Sequence, residues 1–374
     1  MKKQSRRAFL NRLLLGSALL SPAARLRAQA DRGTSPAPLP SPGTRPLEVP
    51  PPLSRVVLCQ NPGAIVRFEY NDAILWDMTR KAVAAYFGKD PVTAFRELLK
   101  PEDVVGIKVN SAPGPLVSTS RAMVLAIIDL LERAGVPRGN IVIWDKFRTQ
   151  LDSARYTIAD RNGAMQVIAT VPEAGYDAKP TYDFEVTGTL IWGDRDFDAK
   201  KAMVMTDGGT NPLQLSTKSH FTNILTQRIT KCINMPSLTD HPDYGIAGCL
   251  YNMAIGSTDN SRRFGVSPYY GVPPIPDIYS MPMIRNKTIL NLMDATIICF
   301  AGGPGFNANY CDQACRLYVS QDPVAIDALC LTLLKDLRKS AGISTPPWFG
   351  THVNASAKAR LGTDDPSKMD LTVI

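Results

Sequence analysis

The chain has 374 residues, 44% of them hydrophobic, enough to bury one large core or two modest ones. Its formal charge of +8 points at first to nucleic acid or an acidic surface. Residues 1–30, however, hold Lys2, Lys3, Arg6, Arg7, Arg12, Arg25 and Arg27 and no acid, which leaves the body near +1 and excludes nucleic acid as a partner.

Those first thirty residues read as an export signal. Ser5-Arg6-Arg7-Ala8-Phe9-Leu10 is a twin-arginine pattern, Leu13 to Leu20 is a short apolar run, and Ala28-Gln29-Ala30 fits a small-residue cleavage site. The apolar run is too short to span a bilayer. The expectation is a periplasmic protein that meets the membrane only during export and whose mature form begins near Asp31. Asp31 to Pro52 carries eight prolines, so it stays extended and serves as a tether (31–52) ahead of a folded body at 53–374.

The body opens with a strand at Arg55–Cys59. A helix follows over Asp72–Phe87, then a second over Pro91–Leu99 with Asp90 as its N-cap and Pro91 in its first turn. Val104–Val109 reads as a buried strand and Ser111–Ser118 as a Pro/Gly loop. Thr119 or Ser120 caps a helix to Ala134, which Gly135 stops, and Ile141–Trp144 is the next strand, ending on Asp145. Strand, helix and strand at this spacing predict a parallel pair with a right-handed crossover. Thr149–Arg161 reads as helix, Gln166–Thr170 and Met203–Met205 as short strands, and Ser219–Leu225 as a short helix.

The stretch Ile233 to Gly256 sets polar residues in an apolar frame, and buried polar side chains need partners. The predicted unit is a strand Lys231–Met235, a loop Pro236–Tyr244 and a helix Gly245–Ile255. A strand running into a helix is where α/β proteins place their chemistry. Residues 257–287 form a long proline-spotted excursion with Tyr269, Tyr270 and Tyr279. Thr288–Ala301 is a strand region interrupted by Asp294, Gly302–Gly305 turns the chain, and Arg316–Ser320 is a strand. Asp322 caps an apolar helix from Pro323 to about Lys339 with Asp327 in its second turn. The fold class expected is α/β, a mostly parallel sheet with helices on both faces, in a single large domain with loop excursions.

Several residues could carry chemistry. Lys108 and Asn110 end a predicted strand. His241, flanked by Asp240 and Asp243, suits a general base or a metal ligand. Asn234 and Asn252 could bind a ligand, and Asp294 and Asp327 need a partner such as Lys108, Arg316 or a metal. Among seven cysteines, Cys311-x-x-x-Cys315 has the sharpest spacing and could be a disulfide, part of a metal or cluster site, or two inert thiols. No G-x-S-x-G, H-E-x-x-H or C-x-x-C-H occurs, so serine hydrolase, zincin and c-type cytochrome chemistry are excluded as readings.

These segments together resemble a family known as domain of unknown function 362 (DUF362). The resemblance runs through Val105-Gly106-Ile107-Lys108-Val109-Asn110, Asp145, Ile233-Asn234-Met235-Pro236-Ser237-Leu238 with His241, and Asn252 with Gly256. It closes with Asp294, Gly303-Pro304 and Ser320-Gln321-Asp322-Pro323-Val324-Ala325-Ile326-Asp327. Ser237, Thr239 and Tyr251 stand where that family tends to have lysines. The resemblance implies a connection to metal or iron–sulfur chemistry without a settled activity.

Three readings follow. The first is an exported redox protein holding an iron–sulfur cluster or a divalent metal, with Cys311, Cys315 and His241 as ligands and Lys108 orienting an anionic group. It expects those sulfurs and another Cys or His to converge. The second is a cofactor-free hydrolase, lyase or isomerase that uses His241 with Asp240 or Asp294. The third is a periplasmic binding protein with Tyr269, Tyr270 and Tyr279 walling the pocket. The partner is a small-molecule substrate or a redox partner.

Overall fold

The structure is a computed structural model that describes residues 53–156, 165–203 and 213–374. The expected export signal and tether, the end of the helix predicted to reach Arg161, and Val204 and Met205 lie outside the described residues. Strand β1 (Ser54–Gln60) leads through a hairpin, β2 (Ile65–Val66) and β3 (Glu69–Tyr70), into α1 (Asp72–Phe87) and α2 (Pro91–Leu98). Then come β4 (Val105–Val109), α3 (Arg121–Ala134), β5 (Ile141–Phe147), α4 (Arg148–Ser153) and β6 (Gln166–Val171). A separate antiparallel pair, β7 (Tyr176–Thr189) and β8 (Leu215–Thr222), flanks α5 (Ala199–Ala202). The central stretch holds β9 (Lys231–Met235), β10 (Ser237–His241), β11 (Gly245–Ala247) and α6 (Cys249–Ala254). After α7 (Pro274–Ser280) and α8 (Pro282–Arg285) the chain forms β12 (Thr288–Cys299), β13 (Cys311–Asp312) and β14 (Arg316–Ser320). It ends with α9 (Pro323–Ser340), α10 (Thr351–Lys358) and β15 (Met369–Val373).

One sheet runs in the order β15-β1-β14-β12-β9-β4-β5-β6, with β10 and β13 attached at β12 and β11 attached to β10. The run from β12 through β9, β4 and β5 to β6 is parallel throughout. β14 is antiparallel to both β12 and β1. Side chains alternate across each strand. Val105, Ile107, Val109, Ile233 and Met235 therefore enter one core with α1, α2 and α3, while Val142, Trp144 and Cys232 enter a second core with α6, α7 and α9. Helices thus cover both faces of a mostly parallel sheet, as the sequence predicts. Pro52–Ile374 cluster as one compact unit.

The helix boundaries follow local chemistry. The Asn71 side chain accepts from the Ile74 amide at the start of α1, and the Asp90 side chain does the same for Thr93 in α2. Gly135, at φ +104°, takes the left-handed turn that ends α3. Asp322 accepts from the Val324 and Ala325 amides at 2.8 and 2.9 Å and starts α9.

The structure departs from the sequence expectation at several stretches; Gly245–Ala247, expected as the start of a helix, is β11 paired with β10. Ser219–Leu225, expected as helix, is mostly the end of β8, because pairing with β7 and the bond from Thr170 Oγ1 to Thr222 Oγ1 hold it extended. A π-helical turn, Ile224–Arg228, follows it. Pro236–Tyr244, expected as a loop, contains β10, which pairs parallel to β12 and antiparallel to β11. Its polar residues mask a strand that is buried along its whole length.

Candidate active site

β4, β5 and β6 follow one another toward one edge of the sheet, and the chain then returns to place β9 on the other side of β4. The C-terminal ends of β4 and β9 therefore flank a reversal of strand order, where open α/β sheets hold ligands. A cavity of about 370 Å³ lies here, lined from the ends of β4, β5, β6 and β10 and from α6.

Its floor is a chain of buried polar groups. Lys108 Nζ donates to Asp145 Oδ1 at 2.6 Å, to the Val109 carbonyl at 2.8 Å and to Asn252 Oδ1 at 3.0 Å. Asn252 Nδ2 donates to Asn234 Oδ1 at 2.8 Å, and Asn234 Nδ2 donates to Asn291 Oδ1 and to the Cys249 carbonyl. The second oxygen of Asp145 accepts from the amide and hydroxyl of Ser111. An ammonium has three donors, so Lys108 is saturated within the protein. Gly256 is necessary to this packing, because a Cβ there would sit 2.9 Å from Lys108 Nζ. Asn110 Nδ2 donates to Ser237 Oγ at 3.1 Å, which ties β4 to β10.

Around this floor stand groups with freedom to react. Lys146 donates to the Thr258 carbonyl at 2.7 Å and to Ser261 Oγ at 3.2 Å. Burial pulls its pKa down to about 8; Arg262 and Lys108 push the same way, and Asp194 and Asp259 oppose them. His241, at the end of β10, accepts at Nδ1 from the Asp243 amide at 3.1 Å, and its ring lies against Tyr244 and Tyr251. Burial lowers its pKa to about 4, so the imidazole is neutral at neutral pH, and burial raises the Asp243 carboxyl. Tyr176, Tyr251, Ile191 and the exposed Trp192 supply apolar wall. The Tyr176 hydroxyl is buried and has no hydrogen-bond partner.

The cavity brings together Lys108, Asn110, His241 and Asn252 of the residues singled out in the sequence. Asn234 joins them one bond deeper. Asp240, Asp294 and Asp327 do not line it. Asp240 accepts from the Gly303 amide at 2.8 Å and lies 3.6 Å from Arg338. Asp294 accepts from the Ser120 amide at 2.7 Å and from the Thr296 amide and hydroxyl, so it holds the start of α3. Asp327 accepts from the Cys249 and Leu250 amides at 2.6 and 2.9 Å and holds the start of α6. These last two carboxylates are answered by backbone amides and, at Asp294, by the Thr296 hydroxyl, rather than by Lys108 or Arg316. His241 thus lines the cavity while Asp240 and Asp294, its expected acid–base partners, lie outside its lining.

The residues of the expected metal set lie apart. Cys311 is disulfide-bonded to Cys299 across the β12–β13 pair, and Cys315 is a buried free thiol whose sulfur lies 3.7 Å from the Pro62 carbonyl oxygen. His241 is in the cavity, which neither cysteine lines. Among the described residues no three His, Cys, Asp or Glu side chains gather as a metal site. Cys311, Cys315 and His241 therefore do not fit an iron–sulfur cluster or a divalent metal. The tyrosine-walled pocket is not formed either: Tyr269 donates to Glu185, Tyr270 stacks on Trp348, and Tyr279 is buried in the second core.

Sequence reasoning passed over Lys146, Tyr176, Trp192, Ser261 and Arg262. The rule that strand ends carry ligand groups could have found Lys146, which directly follows Asp145. The others come from excursions whose path no local pattern fixes.

Fold and cavity define an α/β protein with a small-molecule-sized site at the ends of parallel strands. Residues 195–332 match the family described as Domain of unknown function (DUF362), which supports the resemblance seen in the sequence. That match takes in His241, Asn252 and Ser261 but not the strands carrying Lys108 and Lys146. A crystal structure of a protein from Thermotoga maritima is similar at 10% identity and a TM-score of 0.38, covering 73% of this chain. The chain spans 60% of the length of that protein. No curated protein matches the chain.

Proposed function

We propose that the protein is an exported, periplasmic enzyme of the lyase or isomerase type that moves a proton on a small molecule bound in the strand-end cavity. The observation that carries this reading is the convergence of Lys146, His241 and Asp243 on one cavity above a floor whose own polar groups are already satisfied. A saturated floor is rigid, so it positions the reacting groups without competing for substrate. In this reading Lys146 is the base. Its lowered pKa leaves a useful fraction of free amine near neutral pH, where a general base works best. His241, neutral and held at Nδ1, presents Nε2 as the second proton carrier. Lys108, Asn234 and Asn252 are positioning residues, and Asn110 ties the cavity wall to β10.

Export is supported by the Ser5–Leu10 pattern, and the Cys299–Cys311 disulfide suits an oxidising compartment. The experiment is solvent deuterium exchange into a panel of small ketones, aldehydes and hydroxy acids, followed by proton NMR. Exchange in one class of compound, rising through pH 8 and lost in Lys146→Met, is the expected result. A folded protein that exchanges no member of the panel overturns the reading.

A further inference from the structure

We propose that Lys146 is also a nucleophile, forming a Schiff base with the carbonyl carbon of a small aldehyde or ketone. This rests on the reading of the cavity as an active site and names its substrate class. A neutral amine has two N–H donors and one lone pair. Both donors of Lys146 have acceptors in the wall, the Thr258 carbonyl at 2.7 Å and Ser261 Oγ at 3.2 Å. With these two N–H bonds anchored, the remaining tetrahedral direction belongs to the lone pair, and Lys146 lines the cavity. Among the described residues no carboxylate is paired with Nζ to hold it as an ammonium; its bonds go to the Thr258 carbonyl and Ser261. The charged groups that act on it are Asp194 and Asp259, Arg262 and Lys108. Each of the acids has other bonds. Asp194 accepts from the Ile191 and Asn260 amides, while Asp259 accepts from the Arg195 and His220 amides. Lys108, the neighbouring cation, is fixed by its own three bonds. A cation beside a lysine in a largely apolar site is a known way to free the amine.

The step balances within the site. The lone pair of Nζ forms the C–N bond as the carbonyl π pair moves to oxygen. A proton passes from nitrogen to that oxygen, and Ser261 Oγ, already touching Nζ, is placed to relay it. The carbinolamine oxygen takes a second proton from solvent and leaves as water while the nitrogen lone pair closes the C=N bond, giving the iminium, which returns a proton to solvent when it relaxes to the imine. An iminium so formed acidifies the adjacent C–H bond, and because Lys146 is then bound within it, the proton passes to His241, the second proton carrier of the reading above. The Ile191–Trp192 mouth and the Tyr176 wall favour an apolar body on the carbonyl compound.

The test uses the full chain with acetone, pyruvate or benzaldehyde and sodium borohydride, which delivers hydride to the imine carbon and fixes the adduct. Peptide mass mapping then compares Lys146 with exposed lysines such as Lys81 and Lys201. A pKa near 8 leaves about three-hundredfold more free amine at neutral pH than an ordinary lysine has, partly offset by lower nucleophilicity. The expected preference for Lys146 is therefore about tenfold or more. Labelling of Lys146 no greater than that of the exposed lysines, from pH 6 to 9 and with all three probes, overturns the inference. Because the map is read on the wild-type protein, a misfolded variant cannot obscure it. Deuterium exchange that depends on Lys146 without an adduct overturns the Schiff base and leaves the proton-transfer reading standing. An adduct at Lys146 without exchange supports the Schiff base and removes the proton-transfer reading.

Discussion

Lys108 and Asp145 lie on neighbouring parallel strands, offset by one residue in register, and their side chains meet at 2.6 Å in a fully buried ion pair. The pair is the anchor from which the amide chain through Asn252 and Asn234 reaches Asn291 on β12. Removing one partner leaves the other charge buried and uncompensated, a loss of about 3–5 kcal/mol. Lys108→Met is expected to lower unfolding stability by that amount in urea titration. Lys108→Met with Asp145→Asn is expected to cost clearly less than the sum of the two single changes. Additive costs would show that the two groups are not coupled.

Asp327 is tied to Cys249 and Leu250 across 78 and 77 residues of sequence, and it fixes where α6 starts. A Cβ at Gly248 would lie 2.3 Å from its carboxylate, so the helix start is built around this side chain. Asp327→Ala orphans two buried amides and is expected to cost about 2–6 kcal/mol, at roughly 1–3 kcal/mol for each amide. Asp327→Asn keeps one acceptor oxygen and is expected to lose less. Equal stability of the Ala and Asn variants would remove the capping role.

The sequence carried much of this fold because the signals were local. Asn71 and Gly88 bracket α1, Ser120 and Gly135 bracket α3, and Asp322 opens α9 at the predicted residue. The parallel unit β4-α3-β5 was equally legible from its apolar runs. The roles of the buried carboxylates were not, since a carboxylate in an apolar run looks the same whether it answers a cation or a distant helix. Asp294 serves Ser120, 174 residues away, and only the closed fold shows it. β10 was hidden for a related reason: Ser237 and Asp240 are answered by Asn110 and by the Gly303 amide, both distant in sequence. Cys311 was read against its near neighbour Cys315, whereas sheet pairing sets it opposite Cys299.

That pairing gives a thiol count. Five cysteines are free, Cys59, Cys232, Cys249, Cys315 and Cys330, and all are buried. Denatured protein prepared without reductant is expected to titrate five thiols, rising to seven after reduction. The native protein should react far more slowly, since a buried thiol is shielded and burial raises the pKa of each of the five. Non-reducing peptide mapping should recover Cys299 linked to Cys311. A peptide joining Cys311 to Cys315 would refute the assignment.

The last prediction concerns acid. The unfolded chain protonates His241 at about 6.5, whereas the folded protein resists until about 4, because burial disfavours the imidazolium. With the folded pKa depressed, the residue costs no stability above pH 6.5. Stability is lost as pH falls from 6.5 toward 4, by about 3 kcal/mol for a shift of this size. His352, lowered to about 3, titrates over an overlapping window, and the raised carboxyls of Asp240 and Asp243 work in the opposite direction. The informative quantity is therefore the difference between wild type and His241→Gln, which keeps those other groups. Urea titrations at pH 7 and pH 4 are expected to show the variant gaining about 3 kcal/mol on wild type across the interval. Parallel stability curves would mean that His241 takes its proton in the folded cavity near its ordinary pKa, and the neutral imidazole of the proposed mechanism would fail with it.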